Sequence, residues 1–152
     1  MDNIKWSYTA GLFDGEGTFT ISSLKRNELP DYVFAEIYIT NTNQEVMSWL
    51  KDNFGGSIRL SRRLGKNWKD CYKWFLPAKR RKEFITKILP YLIIKKNQAK
   101  LLLELFTLME NQKASLRGKN GLTLEESKLR QDILVKVKSY NKRGVKNITL
   151  ND

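Results

Sequence analysis

Hydrophobic and polar residues alternate along two segments near the N-terminus. In FTISS, Phe19 and Ile21 alternate with Thr20 and Ser22, and AEIYIT repeats the pattern. A period of two is typical of β-strands with one buried face. SIRLSRRL and CYKWFL predict a third and a fourth strand. The intervening KRNELPD, which contains Pro30, predicts a turn or loop between the first two strands.

Two helices are predicted around the first pair of strands. Ser7 is the predicted N-cap of a short helix from Tyr8 to about Asp14, and the glycines of GEG end it. NTNQEVMSWLKDNFGG predicts a longer helix, capped at Asn41 or Thr42 and stopped by its two glycines.

Three further helices follow the strands. RKEFITKILPYL predicts a helix interrupted at Pro90, and NQAKLLLELFTLMEN predicts a strongly apolar helix. Thr123 and Glu126 form a predicted capping box for a last helix through about Tyr140. The order α-β-β-α-β-β-α, then more helices, predicts one α+β domain over residues 1–152. Its antiparallel four-stranded sheet has helices packed on one face.

The amino-acid composition limits the kinds of partner and catalytic site that are possible. The chain carries 28 Lys and Arg against 16 Asp and Glu, which gives a net charge of +12. This charge favours a protein that binds a polyanion over a merely soluble basic protein. With no histidine and one cysteine, hydrolase triads with an imidazole base and cysteine-cluster zinc sites are excluded. No signal peptide or membrane span is predicted, so we expect an intracellular protein, in the cytoplasm or an organelle interior, with no membrane partner.

The sheet face away from the helices meets either solvent or nucleic acid. Cations there could follow phosphates, and polar side chains could contact base edges in a major groove. The candidate DNA-binding residues are Thr20, Ser22, Lys25, Arg26, Glu36, Tyr38, Thr40, Arg59, Ser61, Arg62, Arg63, Lys66, Lys69 and Lys73. The aromatic residues expected in the core instead are Trp49, Phe54, Tyr72, Trp74 and Phe75.

The stretch TAGLFDGEGTFTI places two acids, Asp14 and Glu16, at a helix end, where the helix dipole is already negative. A positive group should therefore lie nearby, and carboxylates beside free carbonyls suit Mg²⁺. The alternative is that the acids only cap a turn. Gly11 and Gly15 leave one side of the helix nearly bare, so a second backbone could approach it.

TAGLFDGEG resembles the signature of the LAGLIDADG homing endonucleases, with identity at Ala10, Gly11, Leu12, Asp14 and Gly17. ITNTNQEVMSWL and LPYLIIKKNQAKLLLEL resemble later segments of that family, in the same order, so the resemblance covers about residues 5 to 110. The departures are Thr9, Phe13, Gly15 and Glu16, of which Glu16 lengthens the carboxylate ligand by one methylene.

The resemblance implies a site-specific, intron-encoded type of nuclease that cuts both strands of a long, near-palindromic DNA site as a homodimer. It implies metal ligation by Gly15 and Glu16, with Mg²⁺ as cofactor and Ca²⁺ or Mn²⁺ as substitutes for binding. The implied catalytic residues are Glu16, Gly15, Asn43 and Lys95, and the implied dimer interface comprises Tyr8, Ala10, Gly11, Leu12 and Asp14.

Several alternatives remain open at this point. Lys95 is either the lysine beside the scissile phosphate or, with Lys96, one of two cations on an exposed turn. Asn43 either orders catalytic water or neighbours a helix cap. The protein as a whole is either the nuclease or a non-cleaving relative. That relative would be a maturase with an intron RNA as partner, or a DNA-binding regulator.

Overall fold

A computed structural model describes residues 3–27, 29–61, 69–111 and 122–141, which form five α-helices and four β-strands. The elements are α1 (Asn3–Glu16), β1 (Gly17–Arg26), β2 (Leu29–Asn41), α2 (Gln44–Phe54), β3 (Ser57–Ser61), β4 (Cys71–Phe75), α3 (Arg81–Ile88), α4 (Lys96–Asn111) and α5 (Leu124–Tyr140). Short 3₁₀ turns precede and follow α3. The predicted α+β class and element order are confirmed.

The strands form one antiparallel sheet in the order β1-β2-β4-β3. Alternate residues of each strand point inward, and Phe19, Ile21, Ile37, Ile39 and Trp74 are all fully buried there. Helices α1, α2, α4 and α5 contact the strands and share the hydrophobic core with them. The opposite face of the sheet, which we call the outer face, is therefore left for solvent or a partner.

Helix α1 is longer than the sequence predicts. It begins at Asn3 rather than Tyr8 and continues through Glu16. Ser7 is not its N-cap, because the Ser7 hydroxyl donates to the Asn3 carbonyl one turn earlier. Glycine weakens a helix but does not forbid one, and here burial against the sheet, with Phe13 fully buried, outweighs the low helix propensity.

The predicted turn or loop between β1 and β2 is shorter than KRNELPD, because both strands of this hairpin extend into that segment. Lys25 and Arg26 belong to β1, and Pro30 lies near the start of β2. The Arg26 guanidinium donates twice to the Pro30 carbonyl, at 3.0 and 2.8 Å, and so ties the two strands together at their turn. A proline is tolerated at a strand's beginning, where its missing N–H interrupts little of the ladder.

The other helix boundaries follow local chemistry. The N-cap of α2 is Asn43, whose Oδ1 accepts from the Val46 N–H at 3.1 Å, rather than Asn41 or Thr42. Asn41 lies just before it, and its Oδ1 accepts from the Asn43 N–H at 2.9 Å. The glycine stop of α2, the end of α3 before Pro90 and the capping box of α5 are as predicted.

Aromatic rings hold α1 against the sheet and α3. Phe13 lies 5.2 Å from both Phe19 and Phe84, measured between ring centroids. Phe54 and Trp74 are buried as predicted, but Phe75 is not a core residue. The β2–β4 register places it on the outer face, directly across from Tyr38. Among the described helices, none is both long and apolar enough to cross a membrane.

Candidate active site and nucleic-acid interface

Asp14 joins the end of α1 to the turn that precedes α4. The Ile93 N–H donates to Asp14 Oδ2 at 2.7 Å, and the Lys95 N–H donates to Asp14 Oδ1 at 2.9 Å. Both carboxylate oxygens are therefore engaged by main-chain donors of the same chain. This arrangement makes Asp14 a structural residue of the site and leaves Glu16 as the acid available for chemistry.

Lys95 supplies the positive charge that the acidic helix end requires. Its ammonium donates to the Phe13 carbonyl at 2.8 Å and to the Gly17 carbonyl at 2.6 Å. Carbonyls in the last turn of a helix lack intrahelical partners, and the helix dipole is negative there. Lys96 is exposed at the start of α4, so the structure distinguishes two lysines that the sequence could not.

The environment of Lys95 makes its proton easier to remove. Desolvation by burial lowers the pKa of Lys95 from its ordinary value of 10.5, and the charges of Asp14 and Glu16 oppose that shift only in part. Lys95 thus loses its proton at a lower pH than an exposed lysine does.

Glu16 and Lys95 both line a cleft of about 840 Å³. Glu16 is the exposed last residue of α1, and it hydrogen-bonds to no described residue. The residues lining the cleft are Gly15, Glu16, Gly17, Thr18, Phe19, Thr20, Tyr38, Thr40, Ile94, Lys95, Gln98, Tyr140 and Asn141. A free carboxylate, an ammonium and the polar end of the outer face thus meet in one place.

Several residues of the cleft are not predicted from the sequence, among them three polar residues from α4 and the end of α5. Gln98 is only 7% exposed, and its Oε1 has no hydrogen-bond partner among the described residues. It follows Lys95 by about one helical turn, a spacing that could have pointed to it. Asn141, whose side chain donates to the Phe19 carbonyl at 2.9 Å, and Tyr140 come from the distant end of α5. No local sequence signal relates them to the cleft.

Asn43 stands apart from this cleft. It is exposed at the N-cap of α2 and is absent from the cleft lining. Its side-chain oxygen is engaged by the helix cap, as the structural alternative for this residue requires. Its role in ordering water stays a prediction.

The outer face collects the polar strand residues named from the sequence. The register pairs Thr20 with Glu36, and Lys73 with both Thr40 and Arg59. The remaining members on this face are Ser22, Tyr38 and Ser61. Lys25 and Arg26 lie at the hairpin end, and Lys69 is exposed before β4. Arg62, Arg63 and Lys66 fall outside the described residues.

One side of α1 is exposed to solvent and carries two glycines in its C-terminal half. Ile4 is 76% exposed and Tyr8 52% exposed, and Gly11 and Gly15 continue the same helical stripe. A Cβ added at either glycine would meet no atom within 4 Å. The chain's own packing therefore does not require glycine at these two positions. We call these four residues the α1 stripe.

The other residues expected at a dimer interface are placed differently. Ala10 is completely buried in the chain's own core, so its side chain is not exposed to a second copy in this structure. Leu12 is half-buried and packs against the core, and Asp14 is held by the turn before α4. Tyr8 and Gly11 are accessible.

The donor set at the end of α1 fits a hard divalent ion. No group of three or more acidic, histidine or cysteine side chains gathers among the described residues. At the end of α1, Asp14 is engaged by main-chain N–H groups, which leaves the Glu16 carboxylate and nearby carbonyls as the oxygen ligands. Mg²⁺ is commonly bound by one or two carboxylates, with waters and substrate phosphates completing its octahedron. Glu16 and the Gly15 carbonyl suit that pattern.

The fold is that of the LAGLIDADG homing endonucleases. The archaeal intron-encoded homing endonuclease I-Vdi141I, complexed with DNA, matches with a TM-score of 0.75 at 19% identity, over 99% of this chain and 92% of that one. I-CvuI, in complex with its target in the presence of Ca, matches with a TM-score of 0.62 at 20% identity, over 90% and 96%.

The LAGLIDADG homing endonuclease I-SmaMI, bound to cleaved DNA, matches with a TM-score of 0.56 at 21% identity. That match covers 88% of this chain but only 49% of I-SmaMI. No protein-family model and no curated protein matches the sequence. The likeness therefore confirms the expected fold.

Exchanging the two acids of the motif for their amides separates structure from chemistry. Asp14→Asn replaces one acceptor by an amide that faces a main-chain N–H, so we expect the free energy of unfolding to fall by about 1–3 kcal/mol. Glu16→Gln should change it by less than about 0.5 kcal/mol, because Glu16 is exposed. Urea unfolding measures both. Equal losses in the two variants would contradict the structural role of Asp14.

Proposed function

We propose that this protein is a site-specific DNA endonuclease that makes metal-dependent double-strand breaks at a long, near-palindromic site as a homodimer. The observation that carries the proposal is the cleft, where the free Glu16 carboxylate lies beside the Lys95 ammonium and continues into the outer face of the sheet. The fold shared with DNA-bound homing endonucleases supports it.

The roles of the cleft residues follow from their chemistry. Glu16 and the Gly15 carbonyl would hold Mg²⁺, which supplies polarisation of the scissile phosphate and an activated water. Lys95 places a positive charge where negative charge develops on the phosphate oxygens. Asp14 keeps Lys95 in position through its main chain. No histidine base is required, which agrees with a chain that has none.

The outer face of the sheet is the proposed DNA-binding surface. It contains threonines, serines and tyrosines that can hydrogen-bond to base edges, together with Arg59 and Lys73. The chain's net charge of +12 favours a polyanion.

Pairing of two copies through the α1 stripe would bring their single Glu16 carboxylates together. One chain covers almost all of I-Vdi141I and I-CvuI but half of I-SmaMI, so it corresponds to one unit of this fold. A two-fold interface repeats the same surface on both copies, and the bare glycines allow two helices to approach closely. Two active sites related by one two-fold axis would cut the two strands of a near-palindromic duplex.

Glu16→Gln tests the nuclease itself. The variant removes one negative charge from the metal ligand while keeping its shape, so cleavage in Mg²⁺ should fall at least about a thousandfold. Binding in Ca²⁺ should change by less than about threefold, because the outer face is untouched. The substrate is a duplex that joins the sequences flanking the gene's insertion point, and Mg²⁺, Ca²⁺ and EDTA are compared.

The matched control is Glu104→Gln, an exposed acid on α4, which should cut like the wild type. Retained cutting by Glu16→Gln would show that Glu16 is not the essential ligand. If the wild type binds the duplex tightly but never cuts it, the protein is a regulator. Preference for structured intron RNA over duplex DNA would identify a maturase.

Gly11→Leu tests the dimer. The side chain enters open space in one copy, and leucine favours a helix over glycine by about 0.5–1 kcal/mol, so the monomer should not lose stability. Two leucines at a close helix contact should raise the dimer dissociation constant at least about tenfold. Light scattering over a dilution series measures it, with the exposed Glu104→Leu as control. A dimer of unchanged affinity would place the interface elsewhere.

The lowered pKa of Lys95 predicts the alkaline limit of cleavage. The rate should fall at a pH below 10.5, as Lys95 loses the charge that faces the phosphate. In Lys95→Arg, a guanidinium stays charged throughout, so this decline should disappear from the pH range below 10.5. Lys96→Arg, one residue away and exposed, should keep it. The same alkaline decline in wild type and Lys95→Arg would rule out the Lys95 charge as its cause.

A further inference from the structure

Two cations and two aromatic rings form a continuous group on the outer face. Tyr38 of β2 lies across from Phe75 of β4, and Lys73 of β4 lies across from Arg59 of β3. The Lys73 ammonium is 3.5 Å from the centroid of the Tyr38 ring and 4.8 Å from that of Phe75. The Arg59 guanidinium carbon is 5.1 Å from the Phe75 centroid. We call these four residues the aromatic–cation cluster.

The cluster leaves hydrogen-bonding capacity unused. Like charges directly across a strand pair repel, and each cation here is also attracted by the face of a neighbouring ring. Neither Lys73 nor Arg59 donates a hydrogen bond to, or forms an ion pair with, a described residue. Lysine has three N–H donors and arginine five. The rings therefore hold the cations in position, and the N–H donors of both cations remain open to acceptors beyond the described residues.

The position of the cluster relates it to the cleaved bond. Tyr38 also lines the cleft that holds Glu16 and Lys95, and so does Thr40, which is paired with Lys73. The hairpin turn lies at the opposite end of β1 and β2. A duplex on the outer face would thus meet the cluster close to the cutting site, in the inner part of each half-site.

We propose that the aromatic–cation cluster selects guanine at an inner position of each half-site. Guanine presents two neighbouring acceptors, N7 and O6, in the major groove, and a lysine or arginine is their usual partner. Adenine places an amino donor beside its N7, cytosine offers a donor, and thymine has one acceptor beside a methyl group. Cations held in place on rings suit this fixed pair of acceptors, since little side-chain freedom is left to lose.

The proposal deepens the proposed DNA-binding function and rests on it, so the test separates binding from cutting. Duplexes are selected from a randomised pool by binding in Ca²⁺, and we expect guanine to be enriched at an inner position. Replacing that guanine by 7-deazaguanine, which lacks the N7 acceptor, should weaken binding about tenfold. Lys73→Ala and Tyr38→Leu should lose the enrichment, whereas Lys73→Arg and Tyr38→Phe, which keep the charge and the ring, should retain it.

Lys87→Ala is the matched control, because it removes one exposed cation from α3 without touching the sheet. It should leave the selected sequence unchanged. Unchanged guanine enrichment in Lys73→Ala overturns the proposal, as does an equal loss of affinity for all sequences with a shallower salt dependence, which marks a phosphate contact.

Cleavage of the selected duplexes in Mg²⁺ is scored separately. Guanine enrichment without cutting supports the base selection and overturns the nuclease. Cutting without an inner guanine supports the nuclease and overturns the base selection. A pool that yields no bound duplex overturns both.

Discussion

The two-way contact between the end of α1 and the turn before α4 is the interaction on which the site depends. Asp14 accepts two main-chain N–H groups from that turn, and Lys95 returns its ammonium to two carbonyls at the end of α1. Each partner satisfies groups that the other leaves open: orphan carbonyls at a helix end on one side, and N–H groups of a tight turn on the other. This contact fixes Lys95 beside Glu16 and leaves Glu16 unengaged.

Sequence patterns predicted the elements of this fold well because its strands are half-buried and its helices carry clear boundary residues. Thr123 and Glu126 marked the start of α5 through a local hydrogen-bonding pattern, and that prediction was confirmed. The start of α1 was missed because Ser7 resembles a cap, whereas the burial of Phe13 against distant residues decides how far the helix extends. Local sequence patterns thus predict the helix boundaries that local hydrogen bonds determine, but not those that depend on tertiary packing.

The residues of the candidate site show the same difference between local sequence patterns and tertiary packing. The motif pointed to Asp14 and Glu16, but only the fold shows that the first is fully engaged and the second is not. The family resemblance implies Ala10 at a dimer interface, whereas in this structure Ala10 packs in the chain's own core. The spacing of Phe75 with aliphatic neighbours predicts a core position, whereas the β2–β4 register places Phe75 on the outer face.

The contact between the end of α1 and the turn before α4 also affects which residues of such chains can change in evolution. Of the groups it joins, only the Asp14 carboxylate and the Lys95 ammonium are side chains, and every partner atom belongs to the main chain. Replacement of the exposed Ile93 would leave the N–H that donates to Asp14 chemically unchanged. Gly17 is constrained instead, because a Cβ there would collide with Phe13. The contact thus needs two side chains for its hydrogen bonds and a glycine for its close packing, while its exposed neighbour can vary. A backbone-anchored contact of this kind therefore restricts sequence change at few positions, since main-chain atoms are present whatever the side chain.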